Sequence, residues 1–243
     1  MTRQFRVFSP QSNSCADEEL ILPEDESRHL CKVLRAGKGS VVEVLDGLGS
    51  IFKGVVCEAD QEATRLKISK LKSVDRPNPF FRVAFSMTKS ARWEELIRPL
   101  TEMGAGRLTP LVSDRTESKV SRDKESRKLA KWEKSAIEAC KQSGNPWLPQ
   151  IDPPMKLEDL LRSAEHSFYI GSLRASSVKP LVDLGTSFPV ICLVVGPEGG
   201  WTQQEEEFAR SKGAEFFSLG PNVLRAETAA LCALAVARSG FLG

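Results

Sequence analysis

Two kinds of hydrophobic pattern divide the chain. From Val41 to Leu71 apolar residues come in short strand-length runs: Val41 to Leu45, the glycine-rich stretch Asp46-Gly47-Leu48-Gly49-Ser50, then Ile51 to Val56. Two such runs across a tight turn predict a β-hairpin. Arg65 to Ser69 alternates, which puts Arg65 and Lys67 on one face and Leu66 and Ile68 on the other. A short helix is predicted from Arg28 to Leu34, closed by Gly37. The segment Asp75-Arg76-Pro77-Asn78-Pro79 cannot continue a central strand and reads as a linker. Residues 1–74 are therefore expected to form a compact β-rich domain, and 75–243 a second one.

Beyond the linker, strands and helices alternate. Phe81 to Met87 reads as a strand, and Trp93, Leu96, Ile97, Leu100 and Met103 fall on one helical stripe that ends at Gly104. Pro99 lies inside that stripe and should kink or break the helix, because it removes a backbone donor and crowds the preceding turn. Leu108 to Val112 is the next strand, and Leu129, Trp132, Ala136, Ile137 and Cys140 mark one face of a long charged helix. Strands at Ser167 to Ile170, Val190 to Val195 and Glu215 to Leu219 follow, with helices at Gln203 to Lys212 and Ala226 to Arg238. Strands separated by helices imply a mainly parallel sheet covered on both faces, the α/β class. The unbroken apolar run Ile191 to Val195 is what a central parallel strand requires.

Composition narrows the chemistry. A hydrophobic content of 41% supports real cores in 243 residues. No apolar stretch reaches the roughly 20 residues of a spanning helix, and Met1 to Phe5 opens no apolar leader, so a cytoplasmic protein without membrane contact is expected. The six cysteines at 15, 31, 57, 140, 192 and 232 form no CxxC pair, and only His29 and His166 are available, so a metal site is not expected. The net charge of +2 is uneven: residues 1–74 sum to 0, 75–150 to +5 and 151–243 to −3. The positive middle would suit a polyanion, although a solvated helix face explains it as well.

Two loops carry the candidate chemistry. After the buried strand comes Gly196-Pro197-Glu198-Gly199-Gly200-Trp201, followed by Thr202-Gln203-Gln204-Glu205, a capping box that opens a helix. Ligands of open α/β sheets bind at the carboxyl ends of strands, and glycines allow close approach of backbone to ligand. A tight strand-to-helix turn with no ligand is the competing explanation. The loop is neither a P-loop nor a GxGxxG turn, and Glu198 would repel phosphate; a cationic ligand or adenine and ribose donors suit it better. The second loop, Gly220-Pro221-Asn222-Val223-Leu224-Arg225, follows the next strand and is expected to open on the same sheet edge. The helix after it, Ala229 to Ala237, has no polar face and must be buried in the core or against another subunit.

Together these motifs resemble the RsmE family, ribosomal RNA uridine-N3 methyltransferases of the SPOUT superfamily. The likeness lies in Leu193 to Gly200, in Leu219 to Ala229, in Thr101-Glu102-Met103-Gly104, in Glu138 to Gly144, and near the start in His29-Leu30, Val33-Leu34-Arg35 and Gly37. It covers essentially the whole chain. Asn145 stands where the family usually has Arg, and Pro99 interrupts a family helix.

The resemblance implies a PUA-like barrel followed by a knotted SPOUT-type parallel-sheet domain, a trefoil knot forming the S-adenosylmethionine pocket, and a homodimer. It implies cofactor binding by Val195, Gly196, Pro197, Glu198, Gly199, Gly200, Leu219, Gly220, Val223 and Leu224, with no metal. Arg225, Glu227 and Glu198 are the candidate catalytic residues, with Glu227 or Glu198 as proton acceptor. Arg3, Arg35, Arg65, Lys67, Lys89, Arg92 and Arg115 are the candidate contacts to ribosomal RNA of the small subunit. The competing functions are a methyltransferase of this fold on another RNA base and a non-catalytic RNA-binding ribosome-assembly factor.

Overall fold

The structure, a computed structural model, describes residues 5–10, 19–87, 93–112, 122–163, 167–172, 179–181 and 189–240. The chain divides into two compact units, residues 1–76 with 137–148 and residues 77–136 with 149–243.

The first unit contains β1 (Phe5–Phe8), β2 (Glu19–Ile21), α1 (Glu24–Arg28), a π-helical turn (His29–Val33), β3 (Val41–Leu45), β4 (Ser50–Glu58) and β5 (Arg65–Ser73). The strands form one sheet in the order β1-β3-β4-β5-β2. The hairpin read from the sequence is the antiparallel β3–β4 pair. β1 runs parallel to β3. Alternation sorts the two sheet faces: Val42, Val44, Phe52, Val56, Leu66 and Ile68 point into a core with Leu20, Leu22 and Leu30, each less than 3% exposed. Such burial contributes about 1.5–3 kcal/mol per large side chain. The helix expected from Arg28 starts earlier, at Glu24, and continues as the π-helical turn.

Residues 137–148 join this unit through charge as well as packing. Lys141, 6% exposed, bonds Glu26 at 2.6 Å and Glu138 at 2.8 Å. Arg6 pairs with Glu43 at 2.7 Å and donates to the carbonyls of Lys141 and Gln142. The glutamates beside it hold the Lys141 ammonium above its usual range against the opposing effect of burial.

The second unit is built from β6 (Phe80–Ser86), α2 (Trp93–Glu102), β7 (Arg107–Val112), α3 (Arg122–Ser143), β8 (Gln150–Ile151), β9 (Met155–Lys156), α4 (Leu157–Arg162), β10 (Ser167–Gly171), β11 (Lys179–Pro180), β12 (Val190–Val195), α5 (Gln203–Ser211), β13 (Glu215–Ser218) and α6 (Ala226–Ser239). The end of α3 belongs to the first unit. The sheet order is β11-β13-β10-β12-β6-β7-β8, with β9 also on β7, and all pairings are parallel.

Because successive strand residues face opposite ways, β12 serves two cores. Cys192 and Val194 pack with Leu157, Leu160, Trp201, Ala209 and Phe216. On the other face α6 packs against β12, β6 and α2. Burial pushes the Cys192 thiol up to about 12, so it remains a neutral apolar filler. α2 runs through Pro99 from Trp93 to Glu102, so the proline does not end it.

β6 carries a charge where a central strand would be apolar. Arg82 is 2% exposed; its Nη2 donates to Asp152 Oδ2 at 2.8 Å and its Nε to Thr109 Oγ1 at 2.8 Å. Asp152 also accepts from Thr109 Oγ1 at 2.6 Å and from Arg107 at 2.7–2.9 Å. One buried carboxylate thus ties together β6, β7 and the turn after β8.

Candidate functional site

The strand order places the site. β10 lies between β12 and β13, so the two loops that leave β12 and β13 flank the carboxyl end of β10. The cleft there is walled by Val195 to Trp201 from the first loop and by Leu219, Asn222, Val223 and Leu224 from the second. Gly171 and Ser172 from the end of β10 and Phe217 and Ser218 from β13 complete it, with Glu206 of α5 and Ala226 and Ala229 of α6.

The first loop keeps its shape through Trp201. Its indole, 8% exposed, donates from Nε1 to the Gly171 carbonyl at 3.0 Å. Gly196 is compatible with this because a Cβ there would lie 2.8 Å from the indole Cε2. Gly200 has φ +69°, in the left-handed region that glycine adopts without strain. Thr202 then caps α5 with Glu205 in the capping box legible in the sequence.

The second loop ends at Arg225, the N-cap of α6, whose extended backbone turns the chain into the helix. Its side chain is exposed, makes no capping bond, and has no hydrogen bond or ion pair among the described residues. Glu227 follows in the first turn. Its Oε2 is buried and has no hydrogen-bond partner among the described residues. A buried acceptor left unbonded costs about 1–3 kcal/mol, so its retention here calls for an explanation.

All the residues assigned to the cofactor line the cleft except Gly220, which turns at φ +129° and donates from its amide to Ser218 Oγ at 3.1 Å. Glu198 lines the cleft and is exposed to solvent. Among the RNA candidates, Arg35 is exposed at a left-handed turn, φ 56°. Lys67 is exposed on β5, while the neighbouring Arg65 pairs with Glu58 at 3.3 Å and Glu19 at 3.5 Å. Arg3, Lys89, Arg92 and Arg115 lie outside the described residues.

The sequence reading omitted Ser172, Glu206, Trp201 and Phe217 from the site. Their contribution depends on β10 standing between β12 and β13, an order that no local pattern reveals. The rule that ligands gather at strand carboxyl ends would have pointed to Gly171 and Ser172 once β10 was placed.

Among the described residues the lining contains two carboxylates, Glu198 and Glu206, and no Lys, Arg or His. Beside them stand the polar side chains of Ser172, Ser218 and Asn222, apolar side chains and glycine backbone. Such a cleft fits a neutral or cationic ligand rich in hydrogen-bond donors and opposes a phosphate. Among the described residues, no group of three or more His, Cys, Asp or Glu side chains is arranged to hold a metal ion, and no helix is long and apolar enough to cross a membrane.

A parallel α/β domain with this cleft, preceded by a small β unit, has counterparts among known proteins. An RNA methyltransferase domain matches residues 76–238, and the PUA domain of RNA methyltransferases matches 22–68. The ribosomal RNA small subunit methyltransferase E of Synechocystis is 32% identical over 212 residues, 85% of this chain and 68% of that protein. Its counterpart in Aquifex aeolicus is 29% identical over 89% of this chain and 93% of that protein. The enzyme of the same name from Neisseria gonorrhoeae, solved with S-adenosyl methionine bound, superimposes with a TM-score of 0.86 at 27% identity, covering 99% of this chain and 98% of that one. A Legionella pneumophila protein in complex with the same cofactor gives 0.88 at 28% identity, covering 98% of each. The chain belongs to the RNA methyltransferases, in the family of the ribosomal RNA small subunit methyltransferases E.

Proposed function

We propose that this protein transfers a methyl group from S-adenosylmethionine to N3 of a uridine in 16S ribosomal RNA, working in the cytoplasm as a homodimer. The observation that carries this reading is the cleft itself: a glycine-rich loop facing a second loop, largely apolar walls, two carboxylates and no cation among the described residues. When bound, S-adenosylmethionine supplies a methyl already activated on a positive sulfur. The chain's residues then need only align the acceptor and take its proton, and alignment can supply about 7–11 kcal/mol.

The buried, unbonded Oε2 of Glu227 accepts the N3 proton as the nitrogen takes up the methyl. The uncommitted guanidinium of Arg225, two residues earlier, binds the charge developing on the uracil oxygens or an adjoining phosphate. Glu198 is the second candidate proton acceptor, placed on the facing loop. The trefoil knot and the dimer implied by the resemblance belong to the same reading. In support of the dimer, Leu231, Cys232 and Val236 of the apolar helix α6 remain only partly buried in the single chain, and Ala235 is exposed.

Calorimetry with S-adenosylmethionine, with and without a chelator, tests the cofactor assignment. Binding that is unaffected by the chelator is expected; a protein that binds ribosomal RNA but not the cofactor would be an assembly factor instead. Gly196→Val forces a branched side chain against the Trp201 indole and is expected to weaken cofactor binding about tenfold or more while the chain stays folded. Retained affinity in that variant would remove the first loop from the site.

Arg65→Ala with Lys67→Ala tests the outer face of β5. Removing a side chain that neutralises one phosphate should flatten the slope of log affinity against log salt by about 0.9, and cofactor affinity should not change. An unaltered slope would mean that Arg65 serves only its two carboxylates and that Lys67 is solvated.

A further inference from the structure

The first turn of α5 carries two adjacent glutamates with different surroundings. Glu205 completes the cap: its Oε2 accepts from the Thr202 amide at 2.8 Å, and its own amide donates to Thr202 Oγ1 at 3.2 Å. The helix end therefore requires nothing from Glu206. Glu206 lines the cleft, where its Oε1 accepts a hydrogen bond from Ser172 Oγ at 3.1 Å. Ser172 directly follows β10, so this bond joins the start of α5 to the end of the strand between the two ligand loops.

That is the one hydrogen bond of the Glu206 carboxylate among the described residues. A carboxylate offers about four lone-pair sites, so acceptor capacity remains in the cleft. Among the described residues no cationic side chain in the lining neutralises it. A wall of this kind selects for hydrogen-bond donors and against anions.

We propose that Glu206, oriented by Ser172, is a specificity residue of the cofactor cleft that accepts a hydrogen bond from a donor group of S-adenosylmethionine. The donor is a hydroxyl or amine of the nucleoside, or the α-ammonium of the amino-acid end. This inference rests on the reading of the cleft as the S-adenosylmethionine site. A hydrogen bond to a charged acceptor outweighs a neutral one, and its loss is expected to cost about tenfold in affinity.

The test is calorimetry on the full chain with S-adenosylmethionine, S-adenosylhomocysteine and 5′-methylthioadenosine, using wild type, Glu206→Leu, Glu206→Gln and Ser172→Ala. Glu206→Leu should weaken binding about tenfold, Glu206→Gln less because it keeps a carbonyl acceptor, and Ser172→Ala less again because the carboxylate survives but is no longer held. Weaker binding of all three ligands assigns the interaction to the nucleoside. Weaker binding of the first two alone assigns it to the α-ammonium, which 5′-methylthioadenosine lacks. Affinities within about twofold of wild type for every ligand in Glu206→Leu would overturn the proposal while leaving the cofactor reading intact. If Glu206→Leu does not fold, the same result in both Glu206→Gln and Ser172→Ala overturns it. Wild type that binds none of the ligands would overturn the cofactor reading itself, and the proposal with it.

Discussion

Glu227→Gln is expected to lower the single-turnover rate by about 10²–10⁴-fold, the contribution of a positioned general base, with cofactor affinity close to wild type. The reason is geometric. Oε2 of Glu227 is buried, with no partner among the described residues, at the start of α6, on the same edge as the cleft whose wall includes Ala226 and Ala229. Glutamine keeps the size and removes the basic oxygen. If Glu227 merely offsets the helix dipole, the change costs about 0.3–1 kcal/mol of stability and leaves the rate intact. Glu198→Gln is the matched comparison: a large loss there and none at Glu227 would transfer the proton to the other loop. Arg225→Ala separates two roles for the guanidinium. Parallel falls in kcat and kcat/KM mark an interaction made in the transition state, whereas a raised KM with normal kcat marks a phosphate-binding role.

Asp152→Asn is expected to destabilise the second unit by about 3–5 kcal/mol, measured by urea unfolding. Asparagine is nearly isosteric, so the loss is electrostatic. It turns an amide toward Arg82, whose side chain is 3% exposed, and leaves that buried charge without its carboxylate. Burial already lowers the pKa of the guanidinium, with Asp152 opposing the shift. Adding Arg82→Met should restore part of the lost stability, because the cost lies in the uncompensated charge rather than in a missing attraction. Equal stability of the single and double variants would refute that explanation.

The features legible in the sequence are those set by neighbours along the chain. The β3–β4 hairpin follows from two apolar runs and their glycine turn, the central strand β12 from five consecutive apolar residues, and the start of α5 from Thr202 and Glu205. The features missed are set by partners far away in sequence. Arg82 meets Asp152 seventy residues later, and Lys141 meets Glu26 across 115. Nothing near Arg82 marks the carboxylate that compensates its charge. β1 was not recognised because its pairing with β3 joins residues more than thirty positions apart. Pro99 does not break α2: the packing of Leu96, Ile97 and Leu100, each 3% exposed or less, holds the helix together despite the missing backbone donor. At the site the two loops were readable, because strand, glycine turn and cap are contiguous. Ser172 and Glu206 were not, because they meet only through the strand order.

The most direct test of the central claim is to incubate the protein with S-adenosylmethionine and small-subunit ribosomal RNA or subunits lacking the modification, digest the RNA to nucleosides, and identify the product by mass spectrometry. The expected product is 3-methyluridine, formed without added metal and at a single position. Cofactor binding with no methylated nucleoside, or a methyl group on a base other than uridine, would contradict it.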